Sequence, residues 1–169
     1  DELTDYLLDW LDESRDASKP FFAYLSHKAV HSTAQPAPRH RGQYDGTEFE
    51  LPETVEITDE YLTGKPMWVK NQRNSWHGID FSYASDREMT DYLKEYYGAL
   101  SAVDDSVGRI WSYLEDAGIE NETMVVFYSD NGFLIGDHGL IDKRNAYEGS
   151  VRVPMIAAAP GHLPEGVTK

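Results

Sequence analysis

Apolar positions along this chain follow two different periods. Leu3, Leu7, Trp10 and Leu11 fall at helical spacing with acids between them, which predicts an amphipathic helix from Asp1 to about Asp16. The run Phe21 to Leu25 in "KPFFAYLSH" is short, aromatic-rich and announced by Pro20, the signature of a buried strand that delivers Ser26, His27 and Lys28 at its end. Residues 32–85 lose regular patterning and are punctuated by Pro36, Pro38, Pro52, Gly64 and Pro66, so they are expected to form a long functional insertion. Ser85-Asp-Arg-Glu88 then reads as a capping box. Behind it Met89, Leu93, Tyr96, Leu100, Val103, Val107, Ile110 and Leu114 alternate steps of four and three, predicting a long helix that stops near Gly118. "TMVVFY" and "RVPMIAAAP" are two further apolar runs of strand length.

The resulting order is helix, strand, insertion, helix, strand, loop, strand. Continuous apolar strands alternating with amphipathic helices predict an α/β layer fold with a mostly parallel, doubly covered sheet. In such sheets the working groups sit just beyond the carboxyl ends of the strands. That places interest on "SHKAVH", Ser26 to His31, and on "SDNG", Ser129 to Gly132, with the "GDHGLIDKRNAYEG" that follows.

Composition narrows the partners. The chain has 169 residues, 40% of them apolar, enough for a core of its own. Its formal net charge of -15 argues against nucleic acid or an anionic membrane as partner, and an anionic ligand would need a local cluster of cations. No stretch is long and apolar enough for membrane insertion, and "DELTDYLLDW" has neither the basic start nor the apolar run of a signal peptide, so it reads as an internal segment. With no cysteine, thiolate zinc sites, disulfides and cysteine nucleophiles are excluded within these residues.

Asp130 and Asn131 are a carboxylate and an amide oxygen at a strand end. Both can face one ligand only if the chain turns, which Gly132 permits. Such hard donors suit Ca²⁺ or Mg²⁺ better than zinc, though two are too few for either cation. The alternative is an ordinary Asx-type turn. His27, Lys28 and His31 lie within one turn of chain after a strand, where a histidine can serve as general acid or base. Lys143 and Arg144 could hold a tetrahedral oxyanion, or could simply form a solvated turn. His138 stands between glycines, with a ligand contact and tight backbone packing both open. In "GKPMWVKNQRNSWHG", Trp68, Lys70, Arg73, Trp76 and His77 combine aromatic faces with cationic donors, as a subsite for an anionic sugar would, or pin the loop by burial. Candidate substrate contacts are therefore His138, Arg144, Arg73, Trp76 and His77. Asp104 and Asp105 on the long helix read as solvated or packing residues. Asn121-Glu-Thr123 is a formal glycosylation sequon on a loop.

Taken together, "FFAYLSHKAVHSTAQPAPRHRGQY", "YYGALSAVDDSVGRIWSYLEDAGIENETMVVFYSDNG" and "GDHGLIDKRNAYEGSVRVPMIAAAPG" resemble the type I sulfatases of the alkaline phosphatase superfamily, in the order that family uses them. "GKPMWVKNQRNSWHG" looks most like a bacterial branch of mucin-desulfating or N-acetylglucosamine-6-sulfatases. The resemblance implies a three-layer α/β/α alkaline-phosphatase-like fold, of which this chain would be an incomplete central portion. It implies Asp130 and Asn131 as late ligands to a single Ca²⁺. It also implies His31 as the acid that protonates the leaving alcohol oxygen and Lys143 as the sulfate contact. The substrate implied is a sulfated carbohydrate or other sulfate ester, and the compartment periplasmic or secreted.

One departure matters. The family's nucleophile is a formylglycine made in a C/S-x-P-S-R motif, and neither that motif nor the early Asp-Asp ligand pair occurs here, nor does the family's second Lys and His pair. All are expected upstream of Asp1, which makes residues 1–169 part of one sulfatase catalytic domain and inactive alone. Two other readings stand beside this one: a phosphate or phosphonate ester hydrolase of the same superfamily, and a non-catalytic Ca²⁺- or glycan-binding fragment.

Overall fold

The computed structural model describes residues 1–56, 59–72 and 88–168. The chain divides into two compact units. The first comprises Asp1–Gly46, Lys94–Val126 and Ala157–Lys169, the second Thr47–Leu93 and Phe127–Ile156.

In the first unit, helix α1 (Glu2–Asp9) continues as a π-helical turn over Trp10–Ser14. Its buried stripe departs from the expected one at the first position. Leu11 is buried, but Leu3 is 47% exposed and Thr4 takes the inward place. Thr4 can do so because its hydroxyl meets the Ser106 hydroxyl at 2.7 Å, which satisfies a polar group that burial would otherwise penalise. Phe21–Leu25 is not a strand. Phe22 is 87% exposed and Tyr24 is exposed, while Phe21 packs edge-to-face on Trp10 at 6.4 Å. A strand exists by its ladder of hydrogen bonds, and among the described residues nothing pairs with this one.

Helix α4 (Met89–Asp116) is the long helix the heptad-like spacing predicts, although Ser85–Arg87 of the capping box lie outside the described residues. Tyr92, Leu93, Ala99, Val103 and Leu114 are buried. The helix ends where expected: Gly118 adopts φ +66, Ile119 N–H reaches the Leu114 carbonyl at 3.0 Å and Gly118 N–H the Glu115 carbonyl at 3.0 Å. The early part of the proline-punctuated stretch packs on α4. Arg39 and His40 both bond Asp105, the latter at 2.7 Å, and Tyr44 meets Ser101 at 3.0 Å. A β-carbon on Gly98 would lie 3.0 Å from Pro36 Cγ, so the helix backbone and that proline are in close contact. Asp105 is thus a packing residue, as its place on the helix predicts.

The second unit contains the short helices α2 (Asp59–Leu62), α3 (Met67–Lys70) and α5 (Glu148–Val151), and a small hairpin of β2 (Leu134–Ile135) and β3 (Ile141–Asp142). The hairpin is antiparallel, with Leu134 opposite Asp142 and Ile135 opposite Ile141. Strands β1 (Val125–Tyr128) and β4 (Met155–Ala158) arise from the two apolar runs that predict them and pair with each other. They are not doubly covered: Val126, Tyr128, Met155 and Ile156 are exposed. A sheet of two strands cannot bury both faces by itself.

Candidate active site

The corner after β1 is anchored by a backbone contact. Gly132 N–H donates to the Ser150 carbonyl at 2.9 Å. A β-carbon on Gly132 would collide with the carbonyl oxygens of Gly149 and Arg152, the latter at 2.6 Å, so only glycine permits the approach. This pairing bears on one hydrogen bond of the turn reading. In an Asx turn the Asp130 carboxylate would accept the Gly132 N–H, and that N–H is already committed. Instead Asp130 Oδ1 accepts the Asn131 N–H at 2.9 Å, Asn131 Nδ2 donates to the Gly132 carbonyl at 2.7 Å, and Ser129 Oγ donates to the Asn131 carbonyl at 2.9 Å. Asp130 Oδ2 and Asn131 Oδ1 accept no hydrogen bond from the described residues. Two hard oxygens are therefore offered, which fits part of a Ca²⁺ ligand set. No group of three or more His, Asp or Glu side chains gathers to hold a metal among the described residues.

The turn after β2 is left-handed almost throughout, with Gly136 at φ +97, His138 at φ 57 and ψ 25, and Gly139 at φ 63. Histidine tolerates this region at a cost of about 1–2 kcal/mol. Contacts with Thr54 and Tyr147 help hold it there. Its N–H donates to Thr54 Oγ1 at 2.9 Å, and its ring stacks on Tyr147 with centroids 4.0 Å apart. Lys65 Nζ lies 5.9 Å from the centroid of the same Tyr147 ring.

β3 ends in Asp142, a residue that the spacing arguments pass over. It is 3% exposed and collects donors from three directions. Gln72 Nε2 reaches it at 2.7 Å, the Lys143 N–H at 2.7 Å, and Arg144 Nε and Nη2 each at 2.9 Å. Burial pushes its pKa up, and the hydrogen bonds from Arg144, Gln72 and the Lys143 N–H outweigh burial, so the carboxyl is held below its ordinary value. The two neighbouring cations consequently differ. Arg144 is committed to Asp142 as a fork, whereas half-buried Lys143 has its backbone fixed and its Nζ without a partner among the described residues. Asn145 closes the loop, its Oδ1 accepting the Tyr147 N–H at 3.1 Å and the Ser150 hydroxyl at 2.8 Å. Its Nδ2 is buried without a partner among the described residues. The signal for Asp142 was available: it alternates with Leu140 in an apolar run, which puts an acid on the buried face of a strand.

His31 belongs to the first unit and is exposed. Its N–H donates to the Lys28 carbonyl at 2.9 Å, and its Nδ1 lies 3.1 Å from the Ser32 carbonyl. A carbonyl can only accept, so Nδ1 carries a proton in this contact. His27 is different: half-buried, its Nε2 bonds the Ser106 hydroxyl at 3.1 Å, and burial pushes its pKa down. It continues the Thr4–Ser106 chain and is structural. Arg73, Trp76 and His77 lie outside the described residues. Trp68, in α3, is exposed.

The sulfatase family profile matches residues 1–169. The chain is 29% identical over 222 aligned residues to an N-acetylglucosamine-6-O-sulfatase of Bacteroides thetaiotaomicron, covering 99% of this chain and 39% of that protein. Among solved structures, one in complex with its substrate D-glucosamine-2-N,6-O-disulfate superposes with a TM-score of 0.73 at 26% identity, over 95% of this chain and 42% of the other. A phosphonate monoester hydrolase of Agrobacterium radiobacter superposes with a TM-score of 0.79 at 26% identity, over 95% and 33%. The chain thus spans well under half the length of the proteins it matches.

Proposed function

This chain belongs to the sulfatase family and is part of an alkaline-phosphatase-like α/β fold, and from that premise we propose that it supplies the late part of an active site that hydrolyses sulfuric esters. The observation that carries this reading is the corner at Gly132, where backbone pairing to Ser150 leaves the Asp130 and Asn131 oxygens available. Those two residues would hold Ca²⁺, which when bound offsets negative charge on the sulfate oxygens. Lys143, its backbone held by Asp142, binds a sulfate oxygen through Nζ and orients the ester. His31, with Nδ1 tied to the Ser32 carbonyl, delivers a proton from Nε2 to the departing alcohol oxygen. No C/S-x-P-S-R motif occurs in these 169 residues, so they do not themselves supply the formylglycine nucleophile of this scheme.

The substrate is a sulfated carbohydrate or an aryl sulfate. Likeness to an N-acetylglucosamine-6-O-sulfatase and to a structure holding a glucosamine disulfate supports the sugar. Exposed Trp68 with Lys70, and the sequence candidates Arg73, Trp76 and His77, are proposed as its contacts, and export to the periplasm or exterior agrees with an extracellular glycan. In this scheme His138 acts through Tyr147 and Arg144 through Asp142.

The test joins the chain to the upstream half of a sulfatase and measures aryl sulfate hydrolysis. His31→Ala and Lys143→Ala are each expected to lower kcat/KM by about 100-fold or more, and unchanged hydrolysis in both would refute the assignment. A second reading, phosphonate or phosphate ester hydrolysis, is favoured by the fit to a phosphonate monoester hydrolase. Two-metal phosphatases of the superfamily usually carry histidine where Asn131 stands, so metal analysis finding zinc or manganese in the assembled enzyme would select it.

A further inference from the structure

The connection from Asp142 to Tyr147 carries two adjacent cations, Lys143 and Arg144, and treats them unequally. Arg144 presents Nε and Nη2 to the two oxygens of Asp142, each at 2.9 Å, and Asp142 is nearly inaccessible beneath it. Gln72 Nε2, also buried, braces the same carboxylate at 2.7 Å from another segment of the unit. Arg144 itself is exposed, but its partner is buried and braced, so the pair differs from a contact between two surface groups, for which the expected effect would be small. Lys143 receives none of that compensation at its ammonium among the described residues.

We propose that the Asp142–Arg144 ion pair determines charge specificity: by neutralising Arg144 it leaves Lys143 as the uncompensated cation of this loop, matching the site to a monoanionic ester and against a dianionic one. Sulfate monoesters and phosphonate monoesters carry one negative charge, whereas phosphate monoesters carry nearly two above pH about 7, because their second pKa is about 6. Two free cations side by side would favour the dianion; one favours the monoanion through the smaller cost of leaving charge unmatched. Binding of Arg144 by an ionised carboxylate persists across this range, since the hydrogen bonds of Asp142 hold it in the charged form. The proposal rests on the sulfuric ester reading above and assigns it a discriminating device.

The experiment uses the chain joined to its upstream half and compares kcat/KM for 4-nitrophenyl sulfate with that for 4-nitrophenyl phosphate. Asp142→Asn, which frees the Arg144 charge, is expected to shift the sulfate-to-phosphate ratio about tenfold toward phosphate. Arg144→Gln, which strands the Asp142 charge beside Lys143, is expected to shift it about tenfold toward sulfate. The double variant, a neutral pair of the same shape, is expected to return the ratio to within about threefold of the parent. Ratios unmoved in both single variants, with circular dichroism and melting showing folded protein, would overturn the proposal. Should Asp142→Asn not fold, Arg144→Gln decides alone by the same criterion. Lys143→Ala separates the levels: if it retains sulfate hydrolysis the underlying reading fails, and if it is inactive while the ratios stay fixed only the charge-specificity proposal fails.

Discussion

Gly132 can be tested with a single methyl group. Its would-be β-carbon meets backbone oxygens of Gly149 and Arg152, which cannot swing aside as a flexible side chain would. Gly132→Ala is expected to cost about 2–3 kcal/mol and lower Tm by ~2–4 °C per kcal/mol, read by thermal melting. If the corner orients Asp130 and Asn131 as proposed, Ca²⁺ affinity of the assembled enzyme falls with it. A variant as stable as the parent would show that the approach of α5 is not obligatory. Asp142 teaches a complementary lesson at this scale. Sequence spacing separates polar from apolar positions but does not say which of two adjacent cations will find an acid. Lys143 and Arg144 look equivalent in "DKRN", and only the folded geometry commits one of them.

Helix α4 is the element most legible in the sequence, because a 28-residue amphipathic helix repeats its signal many times over. Its C-terminus offers a local test. Gly118 stands at φ +66 with the hydrogen bonds of a Schellman motif, so Gly118→Ala is expected to destabilise the first unit by about 1 kcal/mol, measured by denaturant midpoint at constant m. The chain Thr4–Ser106–His27 joins α1, α4 and the segment after Phe21–Leu25, and it titrates. Burial lowers the pKa of His27, so the fold favours the neutral ring. The unfolded chain takes up a proton near the ordinary value of 6.5, while the folded one takes it up only at lower pH. This contribution to stability is thus fully present above pH about 6.5 and is lost as pH falls below it. Urea unfolding from pH 8 to pH 5 is expected to show the loss, and His27→Gln to flatten it. Parallel slopes for both proteins would remove His27 as the cause.

At the scale of the whole molecule, exposed Val126, Tyr128, Met155, Ile156, Phe22 and Tyr24 show why the strand readings fared unevenly. β1 and β4 formed because each had the other as partner; Phe21–Leu25 had an equally apolar sequence and no ladder to join among the described residues. The same incompleteness governs the metal. With Asp130 and Asn131 as the only proposed ligands, the isolated chain is expected to bind Ca²⁺ more weakly than about 1 mM in a calorimetric titration. Micromolar binding would instead support a free-standing Ca²⁺ module. At a formal charge of -15, any weak response that vanishes with added salt is non-specific screening and counts with the first outcome.

By itself the sequence determined what repetition and local chemistry can express. It set the long helix and its glycine stop, the two apolar strands, the alternation that makes an α/β fold, and the motifs that place the chain among the sulfatases. These depend on neighbours within a turn or two of chain, where spacing translates directly into a shared face. The tertiary structure decided what depends on distant partners: the Gly132 N–H bonded to Ser150, Thr4 inward in place of Leu3, His138 stacked on Tyr147, and Asp142 braced by Gln72 from a distant segment. The physical reason is common to all of them. A buried polar group must find its partner wherever folding brings one, and that partner lies too far along the chain for any local period to record.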